Sequence, residues 1–313
     1  MELGQTMPTL RQKIVSTFTR RYPFLSGCGT IANSSLIRMA AGSRGESTWT
    51  RLKSGPEILV PLQDYVGKAA YFVGDLDRKI SETIKRIVRP GDHVLDIGAN
   101  LGVVTLHLAK LVGPTGIVHS FEPNPAVNEL LSRSIERNNL KNVRLHTCAL
   151  GATDGGTLEL SFPEQNAGQA TLTQTRPGEG WRSVQVPVKT LSALADEAGI
   201  GKIRLIKIDV EGFEKEVLTG ARAWMTANPP DAIIFESNES LADGEADPVV
   251  SMLTELGYVI YSIPKRLFSL RLAPFRRNDK QEIKANDLLA VRKDCQQEIV
   301  SKFNILAATE PRP

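Results

Sequence analysis

The sequence contains few of the residues that build disulfide frameworks, metal sites and nucleophilic triads. Its three cysteines, Cys28, Cys148 and Cys295, are far apart and odd in number, which excludes a disulfide scaffold and fits a reducing compartment. Its four histidines are scattered, and each falls at the start or in the interior of a predicted strand or helix. The sequence therefore gives no support to a histidine-ligated metal, a Ser-His-Asp triad or a histidine general base.

Long apolar runs and a strong net charge are missing too. No run reaches the roughly 18 apolar residues of a membrane span, and the first residues lack an apolar signal core, so we expect a cytoplasmic protein. The net charge of +3 predicts no global attraction to nucleic acid. Residues 10–24 are basic and mildly amphipathic, and a solvated or frayed helix is favoured there over a role at a membrane surface.

One stretch organises the rest of the chain, HVLDIGANLG at residues 93–102. It predicts a buried strand, a turn of small residues and the start of a helix, which is how α/β folds bind nucleoside cofactors. The dinucleotide spacing G-x-G-x-x-G is absent, because Asp96 precedes Gly98 by two residues and Asn100 holds the middle place. A carboxylate attracts the ammonium group of an amino-acid tail, so the pattern favours S-adenosylmethionine (SAM) over NAD.

Strand and helix patterns alternate five times after residue 93. This alternation predicts an α/β fold with a doubly wound parallel sheet and helices on both faces. The last two predicted strands, at 258–263 and 288–291, have only a loop between them and should pair antiparallel. Residues 151–189 break the alternation and predict an inserted hairpin.

Three regions follow from these patterns. Residues 1–55 are expected to form an N-terminal extension, partly disordered or helical. Residues 56–293 should form the main domain, and within it residues 56–73 predict a short strand pair around Gly67. Residues 294–313 are expected to be a C-terminal tail.

Acidic residues follow several predicted strands, and ligands of open parallel sheets bind beyond these carboxyl ends. Glu122 follows the second strand, at the spacing of an acid that binds ribose hydroxyls. Around Ala149, after the third strand, backbone and apolar groups can flank adenine. Asp209, Glu236 and Asn238 could supply oxygen ligands for Mg²⁺, although their spacing does not require a metal.

The stretches LDIGANLGVVTLHLA, SFEPNP, IKIDVEGFEKEVLTGA and NDLLAVR resemble the FkbM-type family of SAM-dependent methyltransferases, over roughly residues 56–293. The resemblance implies a seven-stranded Rossmann-like sheet of order 3-2-1-4-5-7-6 whose last strand is antiparallel. It implies O-methylation, often of a sugar or natural-product hydroxyl, with Asp209 and Glu211 facing the transfer site. The residues that it assigns to SAM are Asp96, Gly98, Asn100, Gly102 and Glu122.

The roles of Asp209 and Glu211 stay open between a base for the acceptor hydroxyl, an anchor for a ligand or metal, and a cap for the following helix. We expect Asp209 to serve catalysis and Glu211 to support it or contact the acceptor. Other open functions are a non-catalytic module that binds SAM or RNA, and an NAD-dependent oxidoreductase. The basic segment 264–287 is predicted to line or overhang the acceptor site, with a solvated hairpin favoured over phosphate binding.

Overall fold

A mostly parallel sheet forms the centre of the protein. The computed structural model describes residues 7–42, 47–164, 170–172, 180–236, 247–275 and 287–306. In chain order, the strands of these residues are β1 (Ser47–Arg51), β2 (Glu57–Pro61), β3 (His93–Ile97), β4 (Ile117–Phe121), β5 (Val143–His146), β6 (Ala149–Leu150), β7 (Thr157–Pro163), β8 (Trp181–Lys189), β9 (Leu205–Ile208), β10 (Ala232–Glu236), β11 (Tyr258–Ser262), β12 (Arg271–Pro274), β13 (Asp287–Arg292) and β14 (Asn304–Ile305).

Helices cover both faces of this sheet and form the start of the described chain. In chain order they are α1 (Leu10–Thr19), α2 (Cys28–Ala32), α3 (Ser35–Ala41), α4 (Tyr65–Lys68), α5 (Arg78–Ile87), α6 (Val103–Val112), α7 (Pro125–Arg137), α8 (Leu191–Ala198), α9 (Glu214–Ala227), α10 (Pro248–Glu255) and α11 (Gln296–Val300). A π-helical turn, Ala69–Val73, follows α4 directly, and a 3₁₀ turn, Lys293–Cys295, precedes α11. No helix of the described ranges has the length and apolar character needed to cross a bilayer.

The large sheet has the order β14-β12-β11-β13-β10-β9-β3-β4-β5. Strands β5, β4, β3, β9 and β10 run parallel, and β13 is antiparallel to both β10 and β11. Counted along the chain, this is the order 3-2-1-4-5-7-6 with two short strands added beyond β11. The predicted fold class, a doubly wound Rossmann-like methyltransferase sheet with its last strand antiparallel, is confirmed.

The alternation of side chains along β3 separates two apolar cores. Leu95 and Ile97 pack on the face covered by α8, α9 and α10. Val94 packs on the opposite face, against α5 and α6. Because successive side chains of a strand point to opposite faces, Asp96 shares the α6 face, where Thr105 donates a hydrogen bond to it (2.6 Å).

The predicted strand pair around Gly67 is wrong. Only its first part is a strand, β2, and the partner of β2 is β1, which lies in the predicted extension. The chain turns helical after Asp64, whose carboxylate accepts a hydrogen bond from the backbone N–H of Gly67 (3.0 Å) and so caps α4. The apolar run that follows, Ala69–Val73, is buried throughout, and a short buried run does not distinguish a strand from a helix.

The insertion and the C-terminal residues can be compared with the sequence-based expectations in the same way. The insertion at 151–189 contains the antiparallel pair β7 and β8, as predicted. Residues after 293 add α11 and place Ile299 and Phe303 in the core beneath α5. The region boundaries at 55 and 293 remain predictions, although the β1–β2 pair spans the first of them and this core spans the second.

Candidate active site

A cavity of about 670 Å³ opens at the carboxyl edge of the parallel strands. Its size lies within the range of small-molecule sites, about 300–1,000 Å³. The ends of β3, β4, β9 and β10 form one wall, the segment around α2 together with residues 75–81 forms another, and the β7–β8 insertion contributes apolar side chains such as Leu160. The position agrees with the rule that ligands of open α/β sheets bind beyond the strand ends.

The turn after β3 approaches the end of β9 very closely. A Cβ added to Gly98 would lie 1.9 Å from the backbone oxygen of Asp209, and Gly98 has a φ of +79°. Only glycine satisfies both conditions. Asn100, two residues on, also has a left-handed backbone, with a φ of +52°, and both residues line the cavity.

Glu122 directly follows β4, lies in the cavity wall and is 7% exposed. Its two carboxylate oxygens accept hydrogen bonds from the backbone N–H groups of Asn100 (2.8 Å) and Asn124 (2.9 Å). Burial nevertheless raises the pKa of Glu122 to about 7. A carboxylate oxygen accepts about two hydrogen bonds, so each oxygen retains capacity for one donor from a ligand.

Lys207 connects three parts of the site and was not anticipated from the sequence. Its Nζ donates to the backbone oxygen of Gly98 (3.0 Å) and lies 3.2 Å from Asp209 Oδ2 and 3.6 Å from Asp96 Oδ1. Burial lowers the pKa of Lys207, but the nearby carboxylates of Asp209 and Asp96 raise it by more than burial lowers it. The net pKa is raised, so the ammonium stays charged. The available signal was a lysine inside the otherwise apolar strand β9.

The loop after β9 presents Asp209 and Glu211 to the cavity. Glu211 has a φ of +52°, a conformation that costs a residue with a side chain roughly 1–2 kcal/mol. Burial, Asp209 and Glu214 together raise the pKa of Glu211. Glu214 accepts hydrogen bonds from the backbone N–H groups of Val210 (3.1 Å) and Gly212 (3.4 Å), so it holds the loop between β9 and α9 in place.

The cavity wall contains both predicted catalytic residues and half of the predicted cofactor residues. Those that line it are Gly98, Asn100, Glu122, Asp209 and Glu211. Asp96 is fully buried behind Lys207, Gly102 packs its Cα side against Leu131 at the start of α6, and Ala149 is buried in β6. Direct cofactor contact by these last three stays a prediction, since none of them belongs to the described wall.

The wall opposite the strand ends is acidic and was missed by sequence reasoning. Asp75 and Asp77 belong to it, and burial raises the pKa of Asp75 to about 6. Lys79 is buried beneath them, 3.7 Å from Asp77 and hydrogen-bonded to Asp287, which reaches the cavity from β13. These residues lie up to 212 positions apart in the sequence, so only the fold brings them together.

Two sequence predictions fall partly outside the described residues. Asn238 lies outside them, and within the described ranges no group of three His, Cys, Asp or Glu side chains is arranged to hold a metal ion. Of the basic segment 264–287, Lys265 lines the cavity. Arg276 and Arg277, on which its predicted acceptor role depends, lie outside the described residues.

Comparison with known proteins identifies similar chains. Residues 96–260 match the methyltransferase FkbM domain. The chain is 33% identical over 144 residues to Methyltransferase 1 of Beauveria bassiana (strain ARSEF 2860), covering 41% of this chain and 57% of that protein. It is 29% identical over 211 residues to the 31-O-demethyl-FK506 methyltransferase FkbM of Streptomyces tacrolimicus, covering 58% and 78% respectively.

A solved structure, methyltransferase FkbM from Methylobacillus flagellatus KT, is similar at 16% identity with a TM-score of 0.41. That match covers 72% of this chain and 53% of the other. The chain thus spans little more than half the length of the fungal relative and of this bacterial structure.

Proposed function

This chain belongs to the FkbM methyltransferase family, and from that membership we propose that it transfers the methyl group of SAM to a hydroxyl group of a small molecule or saccharide. The observation that carries the proposal is the convergence of Gly98, Glu122, Asp209 and Glu211 on one cavity at the carboxyl edge of the sheet. The Streptomyces relative is named as a methyltransferase of 31-O-demethyl-FK506, which favours an oxygen acceptor.

The cavity suits a cofactor with a ribose and a positive charge. Each oxygen of Glu122 accepts one backbone hydrogen bond and has room for one more, which matches two adjacent ribose hydroxyls. The surrounding carboxylates, among them Asp209 and Glu211, favour a sulfonium and an ammonium group by charge. When bound, SAM supplies the methyl group of its sulfonium.

The residues of this chain then have to orient the acceptor and remove its proton. Glu211 fits proton removal better than Asp209, because Asp209 forms an ion pair with Lys207. The raised pKa of Glu211 brings its basicity nearer to neutral pH, where a general base works best. We therefore assign acceptor deprotonation to Glu211 and assign Asp209, held by Lys207, to orientation of the acceptor.

Isothermal titration with S-adenosylhomocysteine and with NADH tests the cofactor. We expect micromolar-range binding of S-adenosylhomocysteine and no binding of NADH, and the reverse result would overturn the proposal in favour of an oxidoreductase. Transfer of labelled methyl groups from SAM to a panel of hydroxylated acceptors, with matched amine acceptors as controls, then tests the chemistry. Methylation confined to the amines would remove the hydroxyl assignment while leaving the family membership intact.

The acceptor assignment is tested by comparing two variants. Glu211→Gln should lower kcat by roughly 10²–10⁴-fold with little change in the affinity for S-adenosylhomocysteine, the behaviour of a lost general base. Asp209→Asn should mainly raise the KM for the acceptor. A fully active Glu211→Gln variant would transfer the role of the base to another carboxylate of the cavity.

A further inference from the structure

Helix α1 carries an apolar face that is turned away from the protein. Leu10, Ile14 and Phe18 are four residues apart and therefore lie on one side of the helix. They are 75%, 50% and 66% exposed. A surface helix of a globular protein normally directs its apolar side chains at the core, so this face is not explained by folding.

The polar side of the same helix attaches it to the rest of the protein. Gln12 donates to the backbone oxygen of Ala41 (3.1 Å), and Ser16 is buried. Arg20, one residue after the helix, donates from its Nε to the backbone oxygen of Tyr71 (3.0 Å). The inner side of α1 is therefore mostly polar, with Val15 as the one apolar side chain of this helix that packs on the core, whereas Leu10, Ile14 and Phe18 face outward.

The exposed apolar patch extends over neighbouring elements. Helix α3, which packs beside α1, exposes Leu36 and Met39 by more than half of their surface. In the segment between α1 and α2, Phe24 contacts Phe268 edge to face, at 4.9 Å between ring centres, and Phe268 is 81% exposed. Phe18 and Leu36 line one small groove between these helices, and exposed apolar side chains grouped in this way mark an interaction site.

The charges around this patch have one sign. Between residues 3 and 45 the sequence contains six basic residues and no aspartate or glutamate. Four of the basic side chains are exposed on or beside α1 and α3, and they are Arg11, Lys13, Arg21 and Arg38. A second copy of this chain is a poor partner, because a two-fold contact would bring the same cations together.

We propose that the surface formed by α1, α3 and residues 267–268, here called the N-terminal face, docks on an anionic lipid bilayer. Leu10, Ile14 and Phe18 insert at the boundary of headgroups and acyl chains, and the basic side chains pair with lipid phosphates, the arrangement of interfacial amphipathic helices. Thr30 of α2 lines both the catalytic cavity and a small apolar groove under this face. Docking therefore holds the cavity beside the membrane.

Flotation of the full-length protein with lipid vesicles tests the proposal. We expect binding to phosphatidylcholine vesicles that contain about one-third phosphatidylglycerol, weak binding to pure phosphatidylcholine, and release at high salt. The double variant Ile14→Gln/Phe18→Gln should weaken vesicle binding by roughly tenfold or more, since two apolar side chains no longer insert. S-adenosylhomocysteine affinity and melting temperature should stay unchanged, which separates this surface from the active site.

Two variants that each remove one exposed lysine provide the matched control. Lys13→Gln removes one exposed cation from the N-terminal face and should weaken vesicle binding by about fivefold. Lys110→Gln removes one exposed cation from the end of α6 and should leave binding unchanged. Equal effects of the two variants, or equal binding to neutral and anionic vesicles, would overturn the proposal. So would a dimer in sedimentation analysis that the Ile14→Gln/Phe18→Gln variant dissociates, because a second copy would then cover the face.

Discussion

Replacing Glu211 by glycine should make the protein more stable and less active at once. The left-handed backbone of Glu211, with a φ of +52°, costs a non-glycine residue roughly 1–2 kcal/mol. Glycine removes this strain but adds about 0.5–1 kcal/mol of conformational entropy to the unfolded chain. The net expectation for Glu211→Gly is a gain of about 0–1.5 kcal/mol in the free energy of unfolding, with a midpoint of about 0.75 kcal/mol, or roughly 2 °C in melting temperature.

The activity of the same variant should fall by roughly 10²–10⁴-fold in kcat, because the proposed base is gone. Glu211→Gln separates the two effects, since it removes the base but keeps the strained backbone, and it should melt below Glu211→Gly. The matched control is Asn139→Gly. Asn139 also has a φ of +52°, but it is exposed after α7 and away from the cavity, so this variant should keep full activity.

Differential scanning fluorimetry and steady-state kinetics on these three variants decide the matter. Asparagine tolerates the left-handed region better than glutamate, so Asn139→Gly should gain only a few tenths of a kcal/mol. Equal melting temperatures for Glu211→Gly and Glu211→Gln would show that no strain is stored at this position. Full activity in both would show that the strained backbone serves something other than proton removal.

Three further predictions concern other residues of the cavity wall, Glu122, Gly98 and Lys207. Burial raises the pKa of Glu122 to about 7, so its ionised form is lost as the pH falls below 7. The affinity for S-adenosylhomocysteine, measured calorimetrically, should fall over the same pH range, and Glu122→Gln should flatten this dependence of affinity on pH. Gly98→Ala should abolish that binding and lower the melting temperature far more than Gly113→Ala, whose added methyl group meets open space; equal losses would contradict the close approach to β9. Lys207→Met should lower the free energy of unfolding, measured in urea at pH 8, by about 3–5 kcal/mol, because it leaves the buried carboxylate of Asp96 without a cation. Burial already raises the pKa of Asp96. The loss of stability should therefore shrink as the pH falls and Asp96 takes up a proton.

Much of the fold follows from local patterns in the sequence. Strand β3 and helix α6 are predictable because a short apolar run, a turn of small residues and a helical repeat follow one another directly. Strand β1 is not, because STWTR is short and mostly polar, and its pairing with β2 is what makes it a strand. The apolar run Ala69–Val73 predicts a strand but forms a π-helical turn. Burial on all sides removes the periodicity that distinguishes a helix from a strand.

The residues of the site also fall into those that the sequence predicts and those that it does not. Glu122 and Asp209 are predictable because the ends of parallel strands meet at one edge. The burial of Asp96 on the α6 face also follows from the alternation of side chains along a strand. The role of Lys207 is set by its contacts with oxygen atoms of Asp96, Gly98 and Asp209, and the wall around Asp75 is formed by tertiary packing. Neither can be predicted from the local sequence.

The position of β13 has a consequence during synthesis on the ribosome. This strand is translated after β10 and β11 and yet lies between them, hydrogen-bonded to both. At about 5–20 residues per second, the ribosome needs roughly 1–5 s to proceed from the end of β11 to the start of β13. During that interval the nascent chain presents two bare strand edges, which invite pairing with each other or with another chain. A direct β10–β11 pairing would be parallel and would have to open again before β13 could enter, so a pause or truncation before residue 287 should leave the chain dependent on chaperones.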